Sequence, residues 1–103
     1  MIADVQQKHE DLVTLCRKYR VRRLDVFGSA ATEDEFDPAR SDLDFLVDFE
    51  APGERGLSDR YFGLWDDLKT LFGRDVHLVT SRSLRNPYFI ASVDETRQEV
   101  YGS

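Results

Sequence analysis

The sequence predicts an α+β fold, a small mixed β-sheet covered by helices on one face, with elements in the order α-β-β-α-β-α. Three observations lead there. Apolar residues recur every three or four positions near the N-terminus, in the middle and near the C-terminus, the spacing of amphipathic helices. Between these stretches lie short strand-like runs, the clearest at 42–49, where apolar and acidic residues alternate. Gly, Pro and Asn punctuate the boundaries. A chain of 103 residues with 41% hydrophobic content suits a single domain over 1–103 with its own core.

The first helix is expected over 2–19, where Ile2, Val5, Leu12, Cys16 and Tyr19 share a face broken only by His9. Arg17, Lys18, Arg20, Arg22 and Arg23 follow, cations that complement the negative end of a helix dipole. Leu24, Asp25, Val26 and Phe27 read as a short strand stopped by Gly28 and Ser29. After an acidic loop containing Pro38, a second strand puts Leu43, Phe45, Val47 and Phe49 on one face and Asp42, Asp44, Leu46 and Asp48 on the other. A break from Ala51 to Gly56 precedes a helix through Tyr61, Leu64, Trp65, Leu68, Leu71 and Phe72, with Ser58 as its candidate cap and Gly73 as its stop. A third strand over 75–80 turns Val76 and Leu78 inward and Asp75, His77 and Val79 outward. Asn86 and Pro87 suit the start of a final helix through Phe89, Ile90, Val93 and Val100.

The net charge of −6 argues against direct binding to a nucleic-acid backbone. Its distribution is uneven. Residues 33–50 hold eight acids against Arg40, a local charge of −7, while the remainder is nearly balanced. Glu33, Asp34, Glu35 and Asp37 form the loop part of this cluster, suited to solvent or to a basic partner. The single cysteine, Cys16, excludes an internal disulfide and fits a reducing, cytoplasmic setting. Apolar runs of a few residues leave no expected membrane span or signal peptide.

On a strand, Asp42 and Asp44 point to the same side, roughly 6–7 Å apart. Paired carboxylates can hold the divalent cations that stabilise displacement at phosphorus. Alone, such a pair also describes the wet face of an ordinary strand. The element ahead of it adds weight: Gly28 and Ser29 end a strand at a turn where exposed amides and a hydroxyl suit phosphate oxygens. Ser41, just before the pair, either fixes the loop or contacts a phosphate. His77 shares a face with Asp75 and either approaches this site or is an exposed strand histidine. Tyr61, Trp65, Tyr88 and Tyr101 read as core or interface aromatics.

The runs Val26-Phe27-Gly28-Ser29-Ala30-Ala31 and Ser41-Asp42-Leu43-Asp44-Phe45-Leu46-Val47 resemble the signature of the DNA polymerase β-like nucleotidyltransferase superfamily, and the length resembles its minimal nucleotidyltransferase (MNT) branch. The resemblance covers about 24–100. It implies a nucleotidyltransferase enzyme with ATP as substrate and two Mg²⁺ ions. Asp42, Asp44 and Asp75 would be the catalytic and metal-binding carboxylates, and Gly28, Ser29 and Ser41 would contact the nucleotide. It also implies an antitoxin that transfers AMP to a tyrosine of a HEPN-family RNase toxin. The alternative is a catalytically weak antitoxin that neutralises its partner by direct binding through the acidic loop.

Overall fold

The computed structural model describes residues 1–32 and 42–102. Among them run helices α1 (Ala3–Gln7) and α2 (His9–Lys18), strand β1 (Val21–Phe27), the short α3 (Ser29–Thr32), β2 (Leu43–Phe49), α4 (Leu57–Phe72), β3 (Val76–Thr80), α5 (Pro87–Thr96) and β4 (Gln98–Gly102). A 3₁₀ turn at Ser81–Ser83 follows β3. The strands form one mixed sheet in the order β3-β2-β1-β4. Strand β1 is antiparallel to both β2 and β4, whereas β2 and β3 are parallel. That parallel pair requires a crossover, which α4 supplies.

The expected main layer is present. Leu12 and Cys16 of α2 and Leu64 and Leu68 of α4 bury against Leu24 and Val26 of β1 and Leu43, Phe45 and Val47 of β2. The N-terminal periodicity is divided between two helices, because Lys8 leaves helical geometry between them. His9, the polar residue that interrupts the apolar stripe, places Nε2 3.1 Å from the Val100 carbonyl oxygen. The break lets Ile2 and Val5 reach the core independently of α2.

Strand β1 begins at Val21, so Arg22 and Arg23 belong to the sheet and not to the helix end. Arg20, with φ 56, makes the reversal from α2 into β1. The Arg60 guanidinium holds that reversal, donating to the carbonyls of Tyr19 (2.9 Å), Arg20 (2.8 Å) and Glu50 (2.7 Å). In α4 the cap position is Gly56 with no side-chain cap, so Ser58 lies inside the helix; Gly73, at φ 63, ends it as expected. Trp65 Nε1 donates to the Val76 carbonyl at 2.7 Å, and the Tyr61 hydroxyl donates to the Leu78 carbonyl. These aromatics therefore tie α4 to the outer strand as well as filling the core.

The C-terminal region departs from the expected order. The helix starts as the sequence indicates, with Asn86 Oδ1 accepting from the Tyr88 and Phe89 amides, but it ends at Thr96 and is followed by β4. Val93 and Val100 are seven residues apart, a spacing that also fits a continuous helix. An ion pair accounts for the change of path. Asp25, fully buried in β1, accepts from Arg97 Nε (2.7 Å) and Nη2 (2.6 Å) and, on its other oxygen, from Arg23 Nε (2.9 Å). Arg97 has the extended ψ of 137° and draws the chain alongside β1. Helix α5 consequently lies on the second face of the sheet, where Val93 and Phe89 cover Phe27 and Leu46. Leu46 shares its face with Asp44 and Asp48, and this cover explains an apolar residue there. No helix among the described residues is long and apolar enough to cross a membrane.

Arg97→Ala leaves the Asp25 carboxylate buried with Arg23 as its cation partner and should lower stability by about 3 kcal/mol in urea unfolding. Cys16 gives an independent readout: burial pushes its thiol up to about 12. The native thiol should resist iodoacetamide, and alkylation should accelerate in the Arg97 variant as the fold opens more often.

Candidate active site

The antiparallel register pairs Phe27 with Asp44, so the residue that follows β1 sits beside the carboxylate near the start of β2. That residue is Gly28, with φ +73, and a Cβ placed on it would lie 2.9 Å from Asp44 Oδ2. A side chain here is excluded both by backbone conformation and by contact with the carboxylate. The chain then enters α3, where Ala31 and Thr32 amides return to the Gly28 carbonyl at 3.1 and 3.3 Å. Ala30 and Ala31 are fully buried in the main core, which fixes the turn's direction and leaves Gly28 and Ser29 partly exposed. The Gly28 amide is already engaged, donating to Thr96 Oγ1 at 2.8 Å. Gly28 thus offers the site close approach, and the neighbouring Ser29 supplies a hydroxyl.

Asp42 immediately precedes β2 and Asp44 lies within it. The parallel register sets His77 of β3 against Asp44. Its imidazole spans the two carboxylates, with Nδ1 3.1 Å from Asp44 Oδ1 and Nε2 3.2 Å from Asp42 Oδ2. His77 is both an exposed strand histidine and a neighbour of the carboxylate pair. The side chains of Asp44 and His77 are 26% and 64% exposed, so the carboxylate is the more enclosed of the two. Burial lifts the Asp44 carboxyl above its ordinary range; the charge and hydrogen bond of His77 oppose this, and the charge of Asp42 adds a smaller upward push.

Asp75 stands just before β3, exposed, and its carbonyl accepts from the Leu43 amide at 3.2 Å. The side chains that meet are those of Asp42, Asp44 and His77. His77 contacts each carboxylate without the three forming a metal cage, and among the described residues no group of three or more His, Cys, Asp or Glu is arranged to hold a metal ion. Two neighbouring carboxylates nevertheless fit one hard divalent cation of the Mg²⁺ type, which commonly takes one or two protein carboxylates and completes its shell with water and phosphate oxygens. Ser41, Arg40 and the acidic residues Glu33, Asp34, Glu35 and Asp37 lie outside the described residues.

Sequence reasoning missed Thr96, and no local signal marks it: its partner, Gly28, is 68 residues away. His77 carried a partial signal, since period two puts it on the outward face of its strand. Which strand it would face depended on the parallel register of β2 and β3.

Comparison with known proteins shows the family of the chain. The nucleotidyltransferase domain family matches residues 12–100, and the chain belongs to that family. A relative from Methanocaldococcus jannaschii, named "Putative protein adenylyltransferase MJ0128", is 36% identical over 95 residues, covering 91% of this chain and 89% of its own. A solved structure described as a putative minimal nucleotidyltransferase is 30% identical, with a TM-score of 0.72, covering 91% of this chain and 90% of that one. The same fold occurs in a structure of a tri-AMPylated Shewanella oneidensis HEPN toxin in complex with MNT antitoxin. That match has 19% identity and a TM-score of 0.66, covering 96% of this chain and 73% of the other.

The raised Asp44 carboxyl yields a pH-dependent prediction. A folded-state value above the ordinary 3.8 means that the folded protein binds this proton more tightly than the unfolded chain. The corresponding stability is fully present below the ordinary value and is lost as pH rises through the raised one. Asp44→Asn removes that loss. The variant should melt a few degrees above the parent at neutral pH, with the difference shrinking in acid; thermal melts across pH check both the sign and the convergence.

Proposed function

We propose that the protein transfers AMP from ATP to a tyrosine hydroxyl of a HEPN-family RNase toxin, acting as the cytoplasmic antitoxin of that toxin. The observation that carries this reading is the seating of the Gly28–Ser29 turn against the Asp44 carboxylate, which gathers a phosphate-suited turn and a cation-suited carboxylate pair into one place. The names of the adenylyltransferase relative and of the AMPylated toxin complex support the choice of nucleotide and partner.

In this reading the tyrosine oxygen attacks the α-phosphorus, the bond to pyrophosphate breaks, and AMP remains on the tyrosine. Gly28, with no side chain, lets the turn seat against the Asp44 carboxylate so that its backbone borders the triphosphate, and the Ser29 hydroxyl donates to a phosphate oxygen. Ser41, just before the carboxylate pair in sequence, contacts the phosphates. Asp42 and Asp44 hold Mg²⁺, whose role when bound is to offset negative charge on the phosphates. Asp75, exposed beside the start of β3, accepts the proton of the incoming hydroxyl, a position suited to a substrate arriving on another protein. Most of the acceleration then comes from positioning and charge neutralisation. A modified tyrosine next to an RNA-cleaving site would carry added bulk and negative charge, both of which oppose RNA approach.

The test incubates the protein with its toxin, Mg²⁺ and ATP labelled at the α- or the γ-phosphate. Label should pass to the toxin from the α position only, and Asp42→Ala or Asp44→Ala should each reduce transfer by about 100-fold or more. Undiminished transfer in both variants, or transfer from the γ position, would overturn the reading. The clustered charge of Glu33, Asp34, Glu35 and Asp37 favours a second reading, neutralisation by direct binding. Conversion of those four to Gln and Asn separates the two: toxin binding should weaken at moderate salt if the loop carries the contact, while the catalytic reading leaves labelling at saturating protein intact.

A further inference from the structure

The β1–β4 ladder runs out just where the turn begins. Its last register pair is Val26 with Gln98, and beyond it the chain opposite β1 is the end of helix α5. Gly28 therefore has no strand carbonyl beside it on this edge, and its amide is satisfied by a side chain, Thr96 Oγ1, at 2.8 Å. The orientation of that hydroxyl is set as well. Thr96 Oγ1 donates back to the Val93 carbonyl at 3.5 Å, which leaves its lone pairs for the Gly28 N–H.

Thr96 is itself held from both sides along the chain. Three residues before it, Val93 is buried in the apolar cluster with Phe27 and Leu46. One residue after it, Arg97 is clamped to the buried Asp25. The acceptor presented to Gly28 is thus anchored to β1 and β2 by contacts on both sides of it along the chain. On its other side Gly28 meets Asp44, where even a methyl group would come within 2.9 Å of Oδ2.

We propose that Thr96 is a positioning residue of the nucleotide site: its hydroxyl fixes how the Gly28–Ser29 turn stands against the Asp44 carboxylate, and so how well the surface the two form together accepts a nucleotide's phosphates. The identity of the ligand rests on the nucleotidyl-transfer reading, whereas the hydrogen bond and its effect on the turn do not. A purely structural threonine would influence folding stability and leave nucleotide affinity alone. A positioning threonine moves affinity even in the folded protein.

The experiment compares wild type, Thr96→Val, which keeps the shape and loses the acceptor, and Thr96→Ser, which keeps the acceptor. Three quantities are measured: amide hydrogen exchange at Gly28, the Kd of a non-hydrolysable ATP analogue with Mg²⁺ by calorimetry, and KM for ATP against kcat. Thr96→Val should speed Gly28 exchange, and both Kd and KM should rise about fivefold, with kcat held within about twofold, as expected for loss of one hydrogen bond that orders a binding element. Thr96→Ser should restore exchange, Kd and KM together. A folded Thr96→Val protein that binds the analogue like wild type overturns the proposal, whatever its melting temperature. Wild-type protein that does not bind the analogue removes the nucleotidyl-transfer reading and this role with it, an outcome distinct from equal binding by wild type and variant.

Discussion

The register of β1 on β2 is the constraint on which the site depends. Side chains alternate with period two, so a slip of one residue would turn Asp42 and Asp44 into the main core and Leu43 and Phe45 out of it. The apolar residues prevent that slip: Leu43, Phe45, Val47, Leu24 and Val26 all bury in the same cluster. With this register Phe27 pairs with Asp44, and Gly28 begins its turn against the carboxylate. Packing on one face of the sheet thereby fixes the chemistry on the other. The carboxylate pair, costly to crowd together, is placed by the burial of the apolar residues that alternate with it.

The second face has its own logic. Phe27 and Leu46 are apolar residues on the side that carries the acids, and α5 covers them at the end of the sheet. The same helix brings Thr96 to Gly28 and Arg97 to Asp25. Asp25 is a fully buried carboxylate, and its two arginines compensate a desolvation that would otherwise be severe. One junction, Thr96 and Arg97, thus links the hydrophobic cover, the ion pair and the turn. His77 contributes from the opposite edge, where the parallel pairing with β2 carries its imidazole across both carboxylates.

Local pattern made much of this visible before any coordinates. The alternation over 42–49 identifies β2 and the face of its acids, Gly73 marks the end of α4, and Asn86 and Pro87 mark the start of α5. The features that escaped local pattern are those decided by partners distant in sequence. Val93 and Val100 keep helical spacing, yet Asp25, 72 residues from Arg97, takes the chain into β4. Arg22 and Arg23 read as a helix end because their strand partners lie beyond β1. The polar residues around the pair follow the same rule: His77 and Thr96 reach it only through strand pairing and helix docking, and Asp75 contributes its backbone to β2 while its side chain stays exposed.

The chain belongs to the nucleotidyltransferase domain family, and the adjacency of turn and carboxylates puts its candidate site at the end of the sheet where β1 stops and β2 begins. Locating a bound nucleotide tests that claim most directly, through a crystal structure grown with a non-hydrolysable ATP analogue and Mg²⁺. The account predicts the triphosphate on the surface that the Gly28–Ser29 turn shares with the carboxylates of Asp42 and Asp44. A nucleotide seated instead in the groove lined by His9, Arg17, Arg22 and Tyr101 would contradict it.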